Sequence, residues 1–196
     1  YQENDLFTLV PEELFDEKEK KTYLKYITKV KKTDFISNDN IEELKIKNVY
    51  IPYVNINNFL VDIFKNIDYY HFNSVLIKKV FHIKNDKSFF AYVDNNKLKI
   101  IIFNKDELIF FNSYEIESET DIIYFLLLSI KEKGLEIKET QINFILDKKN
   151  DLLLEIADKF FDNFEIINNK KIDFIYSEWE LLEGIVVELG LTFPKI

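Results

Sequence analysis

The order of apolar patterns along residues 89–167 constrains this chain more than any other feature. Three β-rich runs, at 89–93, 98–103 and 108–114, are separated only by short polar stretches. The first stretch, Asp94-Asn95-Asn96, is made of residues whose side chains tolerate turn dihedrals, so the pattern predicts an antiparallel three-strand meander. Residues 118–132 then read as a helix. Ser118 and Asp121 stand in capping-box-like spacing, the body from 122 to 130 is apolar, and Gly134 offers a C-terminal stop. A buried strand at 141–146, a helix at 151–161 capped by Asp151, and a last strand at 164–167 complete the stretch. Each helix lies between strands, which favours parallel pairing through helical crossovers.

The first half is less regular. Residues 6–10 read as a strand, and 11–28 as a helix that opens on Pro11, with acids early and lysines late. Residues 34–40 read as polar punctuation. The run at 49–54 reads as a strand whose Pro52 marks an edge or an end, because proline cannot donate to a ladder. Asn55, Asn57 and Asn58 follow as candidate caps for a helix at 57–65. A strand at 69–73 and a helix at 75–81, capped by Ser74, lead to a polar boundary at 83–87. This divides the chain into a first lobe at 1–85, a second at 86–174 and a tail at 175–196. The tail holds Trp179, Gly184 and Gly190, reads as one or two strands, and is assigned to neither lobe.

A meander followed by two helix–strand units is the layout of a ribonuclease-H-like or actin-like lobe. The predicted class is therefore α/β with a mixed sheet, a scaffold that nucleases, sugar kinases and ATPases share. Composition narrows what such a scaffold can do here. Only three glycines occur, and glycine is what lets a backbone wrap a phosphate closely. A net charge of −9 argues against a nucleic-acid partner. The absence of cysteine removes disulfides and thiolate metal sites, and two isolated histidines, His71 and His82, are poor material for a zinc centre. No apolar run is long enough for a membrane helix and no signal segment opens the sequence, so the expected compartment is the cytoplasm. The sequence begins at Tyr1 and contains no methionine, which suggests that it is not an intact reading frame.

Three segments carry a family resemblance. They are Leu9-Val10-Pro11-Glu12-Glu13-Leu14-Phe15-Asp16, Asn48-Val49-Tyr50-Ile51-Pro52-Tyr53-Val54-Asn55-Ile56-Asn57-Asn58-Phe59, and Asn112-Ser113-Tyr114-Glu115 leading into Asp121-Ile122-Ile123-Tyr124-Phe125-Leu126-Leu127. In these the chain resembles the domain of unknown function 3822 family, in order over residues 6–174. The resemblance implies a bacterial protein with a degenerate actin-like ATPase fold. It also implies a first lobe that lacks an opening strand-rich segment.

An actin-type nucleotide site needs glycine amides at hairpin turns around phosphate and cation. Here the equivalent positions are Asp94, Asn95 and Asn96, and the strand ending at Asp147 runs into Lys148-Lys149-Asn150 instead of a glycine pair. These four residues, Asp94, Asn95, Asn96 and Asp147, are a candidate vestigial nucleotide site; as an ordinary hairpin turn they need no ligand. A ribonuclease-H-type nuclease needs an acid within its first strand, and 89–93 has none. No nucleophile elbow or histidine–nucleophile context exists. The most site-like cluster is Tyr50, Pro52, Asn55, Asn57 and Asn58, a candidate interaction surface whose plainer role is to cap a helix and pack. The sequence therefore points to a non-catalytic protein-interaction module or scaffold, with no cofactor, no metal and another protein as partner. The alternative is a nucleotide- or metal-dependent phosphoryl-transfer enzyme that uses the interlobe cleft.

Overall fold

The computed structural model describes residues 1–64 and 67–168. β4 (Lys87–Asp94) and β5 (Lys97–Asn104) pair antiparallel across a two-residue turn, with Asp94 opposite Lys97. Asn95 takes a φ of 48° there, a left-handed value that asparagine tolerates better than most residues. β6 (Glu107–Glu115) pairs with β5, and a register shift beyond Ile102 leaves Ile109 as a bulge. The chain then enters α4 (Glu119–Glu132), closed at its start by a reciprocal cap. The Ser118 hydroxyl accepts the Asp121 N–H at 3.3 Å, and the Asp121 carboxylate accepts the Ser118 N–H at 2.9 Å. Gly134, at φ 62°, ends the turn after it. β7 (Ile142–Leu146) lies parallel to β4. After α5 (Asp151–Ala157), β8 (Phe164–Asn168) lies parallel to β7. The sheet order is β6-β5-β4-β7-β8, so the meander and the two crossovers predicted from the sequence are present.

Alternation along these strands builds two cores. Phe89, Ala91, Leu98, Ile100 and Ile102 face α4 and α5, packing against Leu126, Ile130 and Leu153. Phe90, Tyr92, Ile101, Phe103 and Ile145 face the other way, onto α3 (Phe72–Ile83) through Leu76, Ile77 and Val80. Residues 84–86 link α3 to β4, and the helix folds straight back onto the sheet that follows it.

The first half holds a second sheet. β1 (Phe7–Pro11), β2 (Ser37–Ile41) and β3 (Ile46–Tyr50) pair antiparallel in the order β1-β3-β2. A small core of Val10, Leu24, Ile36 and Val49 lies on its outer face, under α1 (Lys20–Leu24). α2 (Val54–Phe64) connects this sheet toward α3.

Several sequence expectations fail here, each for an identifiable reason. The helix expected at 11–28 is two 3-10 turns, Glu12–Leu14 and Glu17–Glu19, followed by the short α1. Asp16 breaks it by accepting the Lys18 N–H, and the Tyr23 hydroxyl locks the break by accepting from Asp16 N–H and donating to the Leu14 carbonyl. The punctuation expected at 34–40 contains β2, a polar strand made possible because Asp39 finds buried partners. The 49–54 strand is β3, which ends at Tyr50 and lies central in its sheet, so of the two roles expected of Pro52 the strand end holds and the edge does not. α2 begins at Val54, which places Asn55, Asn57 and Asn58 inside the helix and not at its cap. The strand expected at 69–73 is an isolated bridge between Gln2 and His71; His71, not Ser74, caps α3. Asn150, not Asp151, caps α5. The tail expected as strands lies outside the described residues.

The packing assigns very different weights to neighbouring positions on α4. Leu126→Ala removes a fully buried side chain and should cost about 2–5 kcal/mol in urea unfolding. Tyr124→Ala, at a position 58% exposed, should stay within about 0.5 kcal/mol.

Candidate functional site

The face of the five-stranded sheet that meets α3 is apolar along most of its length and polar at one end. Stepping two residues along β4 from Tyr92 reaches Asp94. Stepping back along β5 from Ile101 reaches Lys99 and then Lys97, and Asp147 follows the end of β7. This is the carboxyl end of the parallel pair β4–β7, where open α/β sheets place ligands.

Residues 2–5 cross this end and tie it to the first half. Gln2 donates its N–H to the Tyr70 carbonyl at 3.0 Å and accepts the Phe72 N–H at 2.8 Å. Its side-chain oxygen takes the Tyr53 N–H at 2.8 Å, and the Tyr53 hydroxyl donates to the Glu3 carbonyl at 2.8 Å. Glu3 Oε1 lies 2.6 Å from Lys99 Nζ, whose side chain is 1% exposed and also sits over the Phe72 ring. Lys97 pairs with Asp5 at 3.1 Å and approaches Glu3 at 3.9 Å. Burial works against the Lys97 charge, but the Asp5 bond and the Asp5 and Glu3 charges outweigh it and raise its pKa. Asp94 is raised too, chiefly by burial and then by the Glu3 and Asp147 carboxylates, with Lys99 opposing.

Beneath this strap lies a buried polar layer between β2, β3 and the start of α3. Asp39 accepts from the Tyr50 hydroxyl at 2.9 Å and from the His71 N–H at 2.8 Å. Burial raises the Asp39 pKa despite these bonds, and burial first and the Asp39 charge second raise that of Tyr50. His71 is fully buried; its Nδ1 accepts the Asn73 N–H at 3.2 Å, which leaves Nε2 to donate to the Asn4 carbonyl at 3.1 Å. Burial pushes this imidazole down to about 4, so it is neutral at pH 7. Asn48 donates to the Ser74 hydroxyl at 2.8 Å.

The two sets of sequence candidates fare differently. Asp94 and Asp147 are brought together at adjoining strand ends, with Asn95 and Asn96 exposed in the hairpin turn. The main chain of that turn is engaged internally, since the Asn96 carbonyl accepts the Ile116 N–H at 2.8 Å. The interaction set is split. Tyr50, Pro52 and Asn57 are buried, whereas Asn55 and Asn58 point outward on α2 beside the exposed Tyr53, Ile56 and Phe59. Sequence reasoning missed Glu3, Lys99, Asp39 and His71. Lys99 carried a usable signal, as the one charge within the apolar run 98–103. Among the described residues no group of three or more histidine and carboxylate side chains is placed to hold a metal ion, and no helix is long and apolar enough to cross a membrane.

These pairs set two testable outcomes. Glu3→Ala strands the buried Lys99 ammonium and should cost about 3 kcal/mol in urea unfolding, whereas Lys99→Met, which removes the charge that needs a partner, should cost less. His71 has a folded pKa near 4 against an ordinary 6.5, so between those values the unfolded chain binds a proton that the folded protein refuses. Stability is full above that window and falls as pH drops through it. His71→Asn keeps a capping acceptor and should remove this slope from a pH series of unfolding curves. Asp39 and Asp94, raised in the fold, contribute slopes of opposite sign that both proteins retain.

The geometry agrees with what the chain is similar to. A protein of Bacteroides thetaiotaomicron, described as having an actin-like ATPase fold and unknown function, superposes with a TM-score of 0.74 at 19% identity, over 84% of this chain. The chain spans 66% of that protein's length, and the likeness establishes a shared fold. No curated protein matches the sequence. The family model for the protein of unknown function DUF3822 matches residues 1–164, and the chain belongs to that family.

Proposed function

We propose that this is a non-catalytic, cytoplasmic actin-like protein that has lost nucleotide binding and serves as a scaffold or interaction module for another protein. One observation carries the reading: the polar end of the β4–β7 sheet is filled by the protein's own charges. Lys99, the buried cation on which a phosphate would draw, is taken by Glu3 at 2.6 Å, and residues 2–5 lie across the same end. The adjoining Asp94 and Asp147 make the site repel an anion, and the hairpin between β4 and β5 offers asparagines where glycine amides would wrap phosphate. A net charge of −9 disfavours nucleic acid and leaves protein as the partner class.

A second reading rests on the same two acids. Asp94 and Asp147, electrostatically coupled at adjoining strand ends, are the arrangement from which a metal-dependent phosphoryl-transfer site would be built. Titration of the intact protein with Mg-ATP separates the readings. The scaffold reading expects no calorimetric heat and no shift in Tm at millimolar nucleotide. The enzymatic reading expects binding together with a hydrolysis rate that Asp94→Ala and Asp147→Ala both abolish. Saturable Mg-ATP binding sinks the first reading, and background rates unchanged in both variants sink the second.

A further inference from the structure

β1 and β6 are both sheet edges, and they flank an open groove of about 430 Å³. Phe7 and Leu9 line it from β1, Leu108 and Phe111 from β6, and Ile27 from the segment after α1. The rings of Phe7 and Phe111, 5.8 Å apart and edge to face, join its two walls. On the side away from β5, β6 pairs with no strand among the described residues. An apolar trough beside an open row of N–H and C=O groups suits an extended chain: its backbone continues the ladder and alternate side chains enter the trough. The bulge at Ile109 and the proline ending β1 make these edges poor templates for indiscriminate pairing.

Charge selects the occupant. Ile27 lies in a run that carries Lys25, Lys29, Lys31 and Lys32, all exposed and none in an ion pair among the described residues. Glu12, just beyond β1, is already neutralised by Lys47 at 3.2 Å. On a molecule of net charge −9, these four lysines outnumber the exposed acids next to the groove's lining, Glu13 beyond β1 and Glu107 on β6, so the flank near Ile27 favours an acidic segment. We propose that the groove between β1 and β6 binds an extended acidic segment of a partner protein by strand addition to the edge of β6 that is unpaired among the described residues. The inference rests on the interaction role of the preceding section for its partner class, and it names the surface and the chemistry.

Three fluorescein-labelled octapeptides test it on the intact chain by anisotropy. One alternates glutamate with valine, one alternates lysine with valine, and the third is the glutamate peptide N-methylated at alternate residues. The glutamate peptide should bind at least tenfold more tightly than either of the others, and Lys29→Glu/Lys31→Glu should weaken it tenfold or more. Bound peptide should also slow amide exchange at residues 108–111. Equal affinity for the lysine or the N-methylated peptide, no saturation, or indifference to the charge reversal overturns the proposal. So does a homodimer in sedimentation that already buries the groove. If Mg-ATP binds while the glutamate peptide still behaves as stated, the closed-site reading falls and this one stands; the reverse pattern sinks this one alone.

Discussion

A lysine in the middle of a buried strand sets the terms for the rest of this molecule. Lys99 lies on β5 between apolar neighbours and is 1% exposed, and an ammonium in that position is tolerated only with a close counter-charge. No residue of the five-stranded sheet supplies the close partner; Glu3 does, from the far end of the sequence. To hold Glu3 there, residues 2–5 must run across the sheet, and they are fixed by main-chain bonds to the segment entering α3 and by side-chain bonds with Tyr53, just before α2. This pair pins the N-terminal segment to the sheet, while Ile41, packed in one core with Leu76 and Ile101, joins the two halves through apolar contact.

α3 spans that meeting. Its apolar face belongs to the core of the five-stranded sheet, while its first residues carry the polar layer that joins β2 and β3. α3 therefore contacts both sheets.

The surface left over is uneven in a way that bears on partners. Tyr53, just before α2, and Ile56 and Phe59 on it are exposed, and the β1–β6 groove is lined by Ile27 from a lysine-rich run. Apolar area of this kind is where recognition concentrates.

What the sequence determined by itself was the second half: the meander, both crossovers and the Ser118–Asp121 cap follow from period, turn chemistry and capping over a few residues. Those signals are local, and the structure confirms them. The first half was misread wherever a distant partner outweighed local preference. Asp39 sits in a strand because Tyr50 and His71 satisfy it, Asn57 is a buried helical residue and not a cap, and the hydroxyl of Tyr23 splits what pattern alone takes for one helix. The candidate site divides in the same way. Asp94 and Asp147 were visible as acids at strand ends, but their proximity depends on parallel pairing of β4 and β7. Only the tertiary structure could reveal that Glu3 neutralises Lys99, because a contact between residues 96 positions apart leaves no periodic trace in the sequence.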